Sequence, residues 1–208
     1  MIATYILMAV IAYAIGSVNF SVILSKKIAG FDVREKGSGN AGTTNMLRSV
    51  GKGAAALTLI LDIAKGLVAI LIAIVVGKIS NETDPAVLVQ IAGFFAVLGH
   101  TFPIFFGFKG GKGVATSLGV LLLINPLIGV ICLVFALVVM AITRMVSLGS
   151  IMAAILFPVL TIFIRDNYIT DGYTYVFFGI AMAVLVIFNH RANLKRIYNG
   201  TENRLSFK

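Results

Sequence analysis

Seven apolar runs, at residues 2–25, 53–77, 86–106, 113–125, 127–143, 147–164 and 173–189, take up most of this 208-residue chain. A helix of about 20 apolar residues crosses a bilayer, and it satisfies its own backbone hydrogen bonds where no water can. The pattern therefore predicts an all-α, polytopic membrane protein. It gives about seven transmembrane helices in a single domain over residues 1–208, with five or six as the fallback count. The fourth run is the short one. At 1.5 Å per residue it reaches only about 20 Å, so it borrows from its neighbours, crosses a thin region or re-enters. Asn125-Pro126 gives it a firm stop. A net charge of +9 raises the question of nucleic acid, but 59% hydrophobic residues in repeated runs exclude a soluble basic domain. The lone cysteine, Cys132, lies inside an apolar run, which leaves no intrachain disulfide and no metal cluster. No cleaved signal is expected, because the first run is too long and lacks a basic lead.

Counting cations orients the chain. With the N-terminus outside and the C-terminus cytoplasmic, the inner segments hold Lys26, Lys27, Arg34, Lys36, Arg48, Lys52, Lys109, Lys112, Arg144, Arg191, Lys195, Arg196, Arg204 and Lys208. The outer segments hold only Lys78 and Arg165, beside Glu82, Asp84, Asp166 and Asp171. Fourteen against two is a positive-inside bias. The same assignment places three polar, glycine- or amide-rich segments on the cytoplasmic face.

The first of these runs from Gly37 to Arg48, as Gly-Ser-Gly-Asn-Ala-Gly-Thr-Thr-Asn-Met-Leu-Arg. Three glycines in six residues permit positive φ, so successive backbone N–H groups can converge on an anion. Ser38, Thr43 and Thr44 add hydroxyls, and Arg48 adds a bidentate fork. The alternative is a polar loop with a helix cap, and the spacing is not that of a nucleotide P-loop. The second segment, Lys109-Gly110-Gly111-Lys112-Gly113, sets two ammonium groups in a glycine run at a helix mouth. Simple anchoring to head groups accounts for the lysines but not for the glycines. The third holds His190 and Asn193, three residues apart and on one face if the last helix continues. Inside the second run, Asp62 and Lys65 have the spacing of a pair facing protein, since lipid would penalise each charge. Whether they form only a structural pair or also support the glycine loop stays open. His100, next to Thr101-Phe102-Pro103, is read as structural or supporting. Gly16-Ser17 is read as a small-residue packing face.

These three segments resemble the signature motifs of the bacterial acyl-phosphate:glycerol-3-phosphate acyltransferases, polytopic enzymes of phospholipid synthesis. The resemblance runs essentially end to end. It takes in Gly37–Arg48, His100–Thr116 and Asn189–Arg204 with Gly200-Thr201-Glu202, together with Gly16-Ser17 and Leu61–Gly66. One departure is Asn19, where the pattern leads to proline. The resemblance implies Ser38, His190 and Asn193 as catalytic residues. It implies Gly39, Asn40, Thr43, Thr44, Arg48, Lys109, Gly110, Gly111 and Lys112 as phosphate binders, with Asp62, Lys65, His100 and Glu202 in support. It also implies an acyl-phosphate donor, glycerol 3-phosphate as acceptor, lysophosphatidate as product, no metal or other cofactor, and a monomer in the bacterial cell membrane. The residues add a negative argument against thioester donors, because neither histidine begins a His-x4-Asp pattern: Phe105 and Lys195 stand at the acidic positions. The competing readings are a transporter for an anionic solute and a CDP-alcohol phosphotransferase. One-sided cations and no evident inverted repeat disfavour the first, and the scarcity of acidic residues disfavours the second.

Overall fold

The computed structural model describes residues 2–81, 84–164 and 173–205. Glu82, Arg165, Asp166, Asp171 and Lys208, which enter the charge count, lie outside the described residues. Every regular element among the described residues is a helix. The chain divides into two compact units, Met1–Leu123 and Ile124–Lys208.

In the first unit the opening run is not one helix. It breaks into α1 (Ile2–Gly16) and α2 (Phe20–Ala29). Asn19 explains the restart, for its Oδ1 accepts from Val22 N at 3.2 Å and from Ser21 Oγ at 2.8 Å, capping α2. A polar loop and the short α3 (Thr43–Ser49) lead into α4 (Lys52–Ile79), a 28-residue helix. Next comes α5 (Pro85–Thr101), which stops ahead of Pro103 because proline drives its predecessor out of helical conformation. The expected run to residue 106 therefore ends in a separate 3₁₀ turn, Ile104–Phe106. The last helix, α6 (Val114–Ile124), is as short as its sequence run and borrows nothing. Asn125 serves the next helix instead, accepting from Ile128 N at 3.0 Å.

The small-residue face does what its composition suggests. At the α1–α5 crossing a Cβ on Gly16 would run into the Ala96 carbonyl, and one on Gly99 into the Tyr13 carbonyl. Tyr13 closes the same seam by donating from its hydroxyl to Phe102 O at 2.6 Å. Backbones this close gain dispersion contacts that no larger residue permits.

The second unit begins with α7 (Pro126–Thr143) and α8 (Val146–Phe163), joined by a tight turn at Arg144. There follow α9 (Tyr173–Asn189) and α10 (Arg191–Tyr198). Phe157, Tyr175 and Phe178 form its aromatic centre, with ring centroids 6.0 to 6.1 Å apart. The last run does not continue straight: α9 and α10 meet at 62°. Among the described residues five segments are long and apolar enough to cross a membrane, namely Ile2–Ala29, Lys52–Ile79, Pro85–Phe106, Pro126–Thr143 and Val146–Phe163, and the bent pair makes a sixth if it counts as one span. Length and composition thus support five or six spans, below the seven first counted. The difference is α6, with 11 residues.

Gly16→Ala should lower the thermal midpoint in detergent by the equivalent of about 1–3 kcal/mol, the usual cost of overpacking. Gly53→Ala, on α4 where a Cβ meets nothing within 4 Å, should leave it unchanged or raise it. Equal midpoints for the two variants would remove the close crossing.

Candidate functional site

The first glycine loop is held from within. Val33, Ala41 and Met46 are buried with Val22 and Ala55 in a small apolar cluster under the polar segment. Above it Asn45, 1% exposed, acts as the hub. Its Oδ1 accepts from Ser38 N at 2.9 Å, and its Nδ2 donates to Val33 O at 2.8 Å and Lys36 O at 3.0 Å. Gly39 N donates to Lys36 O at 3.0 Å. Two of the backbone donors expected to converge on an anion are therefore engaged with the protein. Gly37 and Gly39 take positive φ of 57° and 70°, but Gly42 is extended and caps α3. The loop is bonded internally at these two amides and carries exposed Ser38 and Arg48, with Asn40 and Thr44 half-buried beside them.

The second loop shows the same economy. Gly110 N donates to Thr101 O and Gly111 N to His100 O, both at 3.1 Å, which spends the end carbonyls of α5. These donors too are unavailable for a nest. Gly111 is required for space, because a Cβ there would strike His100 Nε2 and lie 2.9 Å from Ala41 O. The two glycine loops thus meet at Ala41 and Gly111. Lys109 is exposed and Lys112 half-buried, while the Gly110 and Gly111 amides are engaged with the end of α5. Thr43 Oγ1, Thr116 Oγ1 and Ser117 Oγ, in the first turns of α3 and α6, are buried with no hydrogen-bond partner among the described residues.

Behind the loops lies the charged group of α4. Lys65 Nζ donates to Gly16 O at 2.9 Å and Val18 O at 2.8 Å, the carbonyls released where α1 breaks from α2. It stands 3.1 Å from Asp62 Oδ1, which in turn faces His100 Nδ1 at 3.5 Å. All three side chains are nearly inaccessible. The expected Asp62–Lys65 pair is present, and His100 connects it to Gly111.

Two residues outside the expected set tie the loops together. Arg34 lies in the turn Val33–Glu35 and grips Asp32, with Nε to Oδ1 at 3.0 Å and Nη2 to Oδ2 at 2.8 Å. Its Nη1 reaches across to Phe106 O at 2.7 Å and Lys109 O at 3.1 Å. The guanidinium hydrogen bond holds the Asp32 carboxyl down at about 2, against the opposing effect of burial. A cleft of about 550 Å³ opens beside them, lined by Asp32, Arg34, Glu35, Gly39, Phe106 and Lys109 among others.

In the second unit Glu202 is the hub. Its Oε1 accepts from Asn193 Nδ2 at 2.7 Å and from Ser147 Oγ at 2.9 Å, and its Oε2 from Arg196 Nε at 2.8 Å. Leu205 N donates to Arg144 O at 2.7 Å, pinning the segment that carries it. His190 sits at the α9–α10 bend as the residue before α10, so it and Asn193 share the first turn of a new helix and not the extension of the old one. Its Nδ1 is 2.8 Å from Val186 O. A carbonyl only accepts, so Nδ1 carries the hydrogen and Nε2 is the basic nitrogen of the neutral ring. Ser147, absent from the expected residues, lies in the second unit's cluster; nothing in its local sequence distinguishes it from a small packing residue. Arg34 escapes a reading of the sequence because two of its partners, the Phe106 and Lys109 carbonyls, come from a distant segment.

Burial raises the Glu202 pKa, but the hydrogen bonds from Asn193, Ser147 and Arg196 together outweigh it and hold the group below 4.5. A lowered carboxylate pKa contributes stability that is present above the unfolded value and lost as pH falls through the folded one. Glu202→Gln should therefore destabilise by about 1–3 kcal/mol at pH 7. The gap to the parent should hold down to about pH 5 and close below 4.5, read as thermal midpoints across that range. A gap that widens on acidification would contradict the geometry.

Comparison with known proteins adds independent findings. A family model described as glycerol-3-phosphate acyltransferase matches residues 6–200. A glycerol-3-phosphate acyltransferase of Clostridioides difficile (strain 630) is 42% identical over 207 residues, covering the whole of this chain and 98% of the relative. One from Thermoanaerobacter pseudethanolicus is 44% identical over 204 residues, covering 98% of this chain and 96% of the relative. The crystal structure of PlsY, an integral membrane glycerol 3-phosphate acyltransferase, in its glycerol 3-phosphate form matches with a TM-score of 0.85 and 36% identity, covering 97% of this chain and 96% of that one. The lysophosphatidic acid form matches at a TM-score of 0.82 and 35% identity, covering 97% and 95%. With apolar helices of spanning length, relatives matched along their whole length and an integral membrane structural neighbour, this multi-pass membrane protein belongs to the glycerol-3-phosphate acyltransferase family.

Proposed function

We propose that the chain transfers a fatty acyl group from acyl phosphate to the 1-hydroxyl of sn-glycerol 3-phosphate, releasing lysophosphatidate and inorganic phosphate at the cytoplasmic face of a bacterial cell membrane. The observation that carries this reading is the meeting of the two glycine loops at Ala41 and Gly111, with Arg48 and Lys109 exposed on them and Lys112 half-buried. Such a surface suits reactants that are both anions. The neighbouring structures named for their glycerol 3-phosphate and lysophosphatidic acid forms support the choice of acceptor and product.

Charge decides the mechanism. An acyl phosphate is a mixed anhydride and needs no further activation, whereas bringing two anions together does need help. One cation at 4 Å contributes about 4 kcal/mol at an effective dielectric constant of 20. Positioning two bound reactants supplies roughly 7–11 kcal/mol. A general base adds about 10²–10⁴-fold. Arg48, Lys109 and Lys112 bind the phosphates, assisted by Ser38, Asn40, Thr43 and Thr44. The 1-hydroxyl oxygen attacks the acyl carbonyl carbon. The carbon–oxygen bond to phosphate breaks, and phosphate leaves with the electron pair. The proton of the hydroxyl passes to His190 Nε2 or to the departing phosphate. Asn193, held by Glu202, orients the hydroxyl or the carbonyl, and the monomer suffices.

The test is purified protein in lipid, given glycerol 3-phosphate and one of three donors: acyl phosphate, acyl-CoA or acyl carrier protein. Lysophosphatidate with stoichiometric phosphate from acyl phosphate alone is expected, and turnover only with a thioester sinks the donor assignment. Uptake of glycerol 3-phosphate into vesicles without acylation would replace the enzyme with a transporter. His190→Ala should lower kcat 10²–10⁴-fold if the ring is the base, and a loss below tenfold leaves that task to the phosphate.

A further inference from the structure

Arg34 counts among the expected cytoplasmic cations, yet the protein itself engages most of its guanidinium. Four of its N–H bonds are spoken for, two by the Asp32 carboxylate and two by the Phe106 and Lys109 carbonyls. Asp32 is 8% exposed and also accepts from Arg34 N at 3.0 Å, so the fork is mounted on its own backbone. That backbone is fixed in turn. Val33 is fully buried in the cluster beneath the glycine loop, and its carbonyl takes a hydrogen bond from Asn45. The far side of the grip is the weak one. Gly107 and Phe108 take positive φ of 65° and 58°, a conformation that disfavours phenylalanine. The carbonyls Arg34 holds, of Phe106 and Lys109, flank this turn on either side. A planar fork is the group that can hold a carboxylate and two carbonyls in fixed directions, and an ammonium is not.

We infer that the Asp32–Arg34 fork is a positioning device that locks the Lys109 loop against the glycine loop and so sets the affinity for an anionic substrate, not the rate of acyl transfer. The inference rests on the proposed role of Lys109 and Lys112 in binding phosphate. A loop released from the fork has to be ordered each time substrate binds. That cost falls equally on the bound substrate and the transition state, so it enters KM and leaves kcat alone. Arg34 acts through Lys109 and touches neither reactant.

The experiment uses the full chain in lipid nanodiscs and compares the parent with Arg34→Lys and Asp32→Asn. Two quantities are read: backbone amide exchange, and KM and kcat for glycerol 3-phosphate and palmitoyl phosphate. In Arg34→Lys, exchange should quicken at least tenfold at Phe108, Gly110 and Gly111, whose amides bond to Pro103, Thr101 and His100, and stay unchanged in α4. KM for at least one substrate should rise at least fivefold, with kcat within twofold. Asp32→Asn, which keeps the shape but not the charge, should move both readouts in the same direction by less. A lysine that restores parental exchange and KM overturns the fork, for then charge alone suffices. Quicker exchange throughout the first unit in both variants overturns it as a local device. Quicker loop exchange with KM unchanged overturns the link to substrate. A parent with no acyl transfer defeats the proposed function, while exchange still decides whether the fork holds the loop.

Discussion

The buried ammonium of Lys65 sets conditions that the rest of the first unit has to meet. A cation in the apolar interior is tolerated only where oxygen surrounds it, and helices of ordinary geometry present none, because their carbonyls are spent on the next turn. The break between Gly16 and Phe20 resolves this by releasing two carbonyls, which Lys65 takes, with Asp62 as the third partner. Each irregularity accounts for the other. Without the cation the broken helix would leave carbonyls unsatisfied in the protein interior, and without the break the cation would have a carboxylate alone. Asn19 fits the same arrangement by restarting α2 with its side chain. From Asp62 the arrangement extends to His100, and from His100 to the glycine that meets the other loop.

The two loops share a division of labour between backbone and side chain. Their amides bond inward, to Asn45, Lys36, His100 and Thr101, and this makes the segments rigid despite their glycines. Arg48 and Lys109 stay exposed. Glycine is used at 111 for room, where an added carbon would press on an imidazole and a carbonyl. In the second unit one carboxylate does comparable work, gathering Asn193, Ser147 and Arg196 around Glu202.

Much of this was legible in the sequence. The all-helical class, the apolar segments, the weakness of the fourth run and the Asp62–Lys65 pair all follow from composition and spacing. The break in the first run is hidden in the sequence, since Gly16-Ser17 has the composition of a packing face and Asn19 reveals its capping role only through Val22 N and Ser21 Oγ. The nests expected at residues 37–45 and 109–113 rested on the freedom of glycine. In the first loop Ser38 and Gly39 N–H turn to Asn45 and Lys36 of the same segment, whereas in the second Gly110 and Gly111 N–H go to the Thr101 and His100 carbonyls at the end of α5. Arg34 shows the same limit. As a lone cation in a loop it reads as topology, and only the fold brings the Lys109 carbonyl within its reach. Residues whose meaning lies in local pattern could be read, and those defined by distant partners could not.

The order of partners around Lys65 has a consequence for biogenesis. The chain is made from its N-terminus, so the broken α1–α2 segment is already present when α4 emerges. Asp62 arrives three residues ahead of Lys65, and the two carbonyls have been waiting since residues 16 and 18. Every oxygen the ammonium needs therefore precedes it in synthesis, and its most hazardous moment, entry into lipid, need not wait for α5. Among the described residues His100 is the partner of this group that comes later. The order of the sequence thus lets the ammonium find all three of its oxygens before any later helix is made.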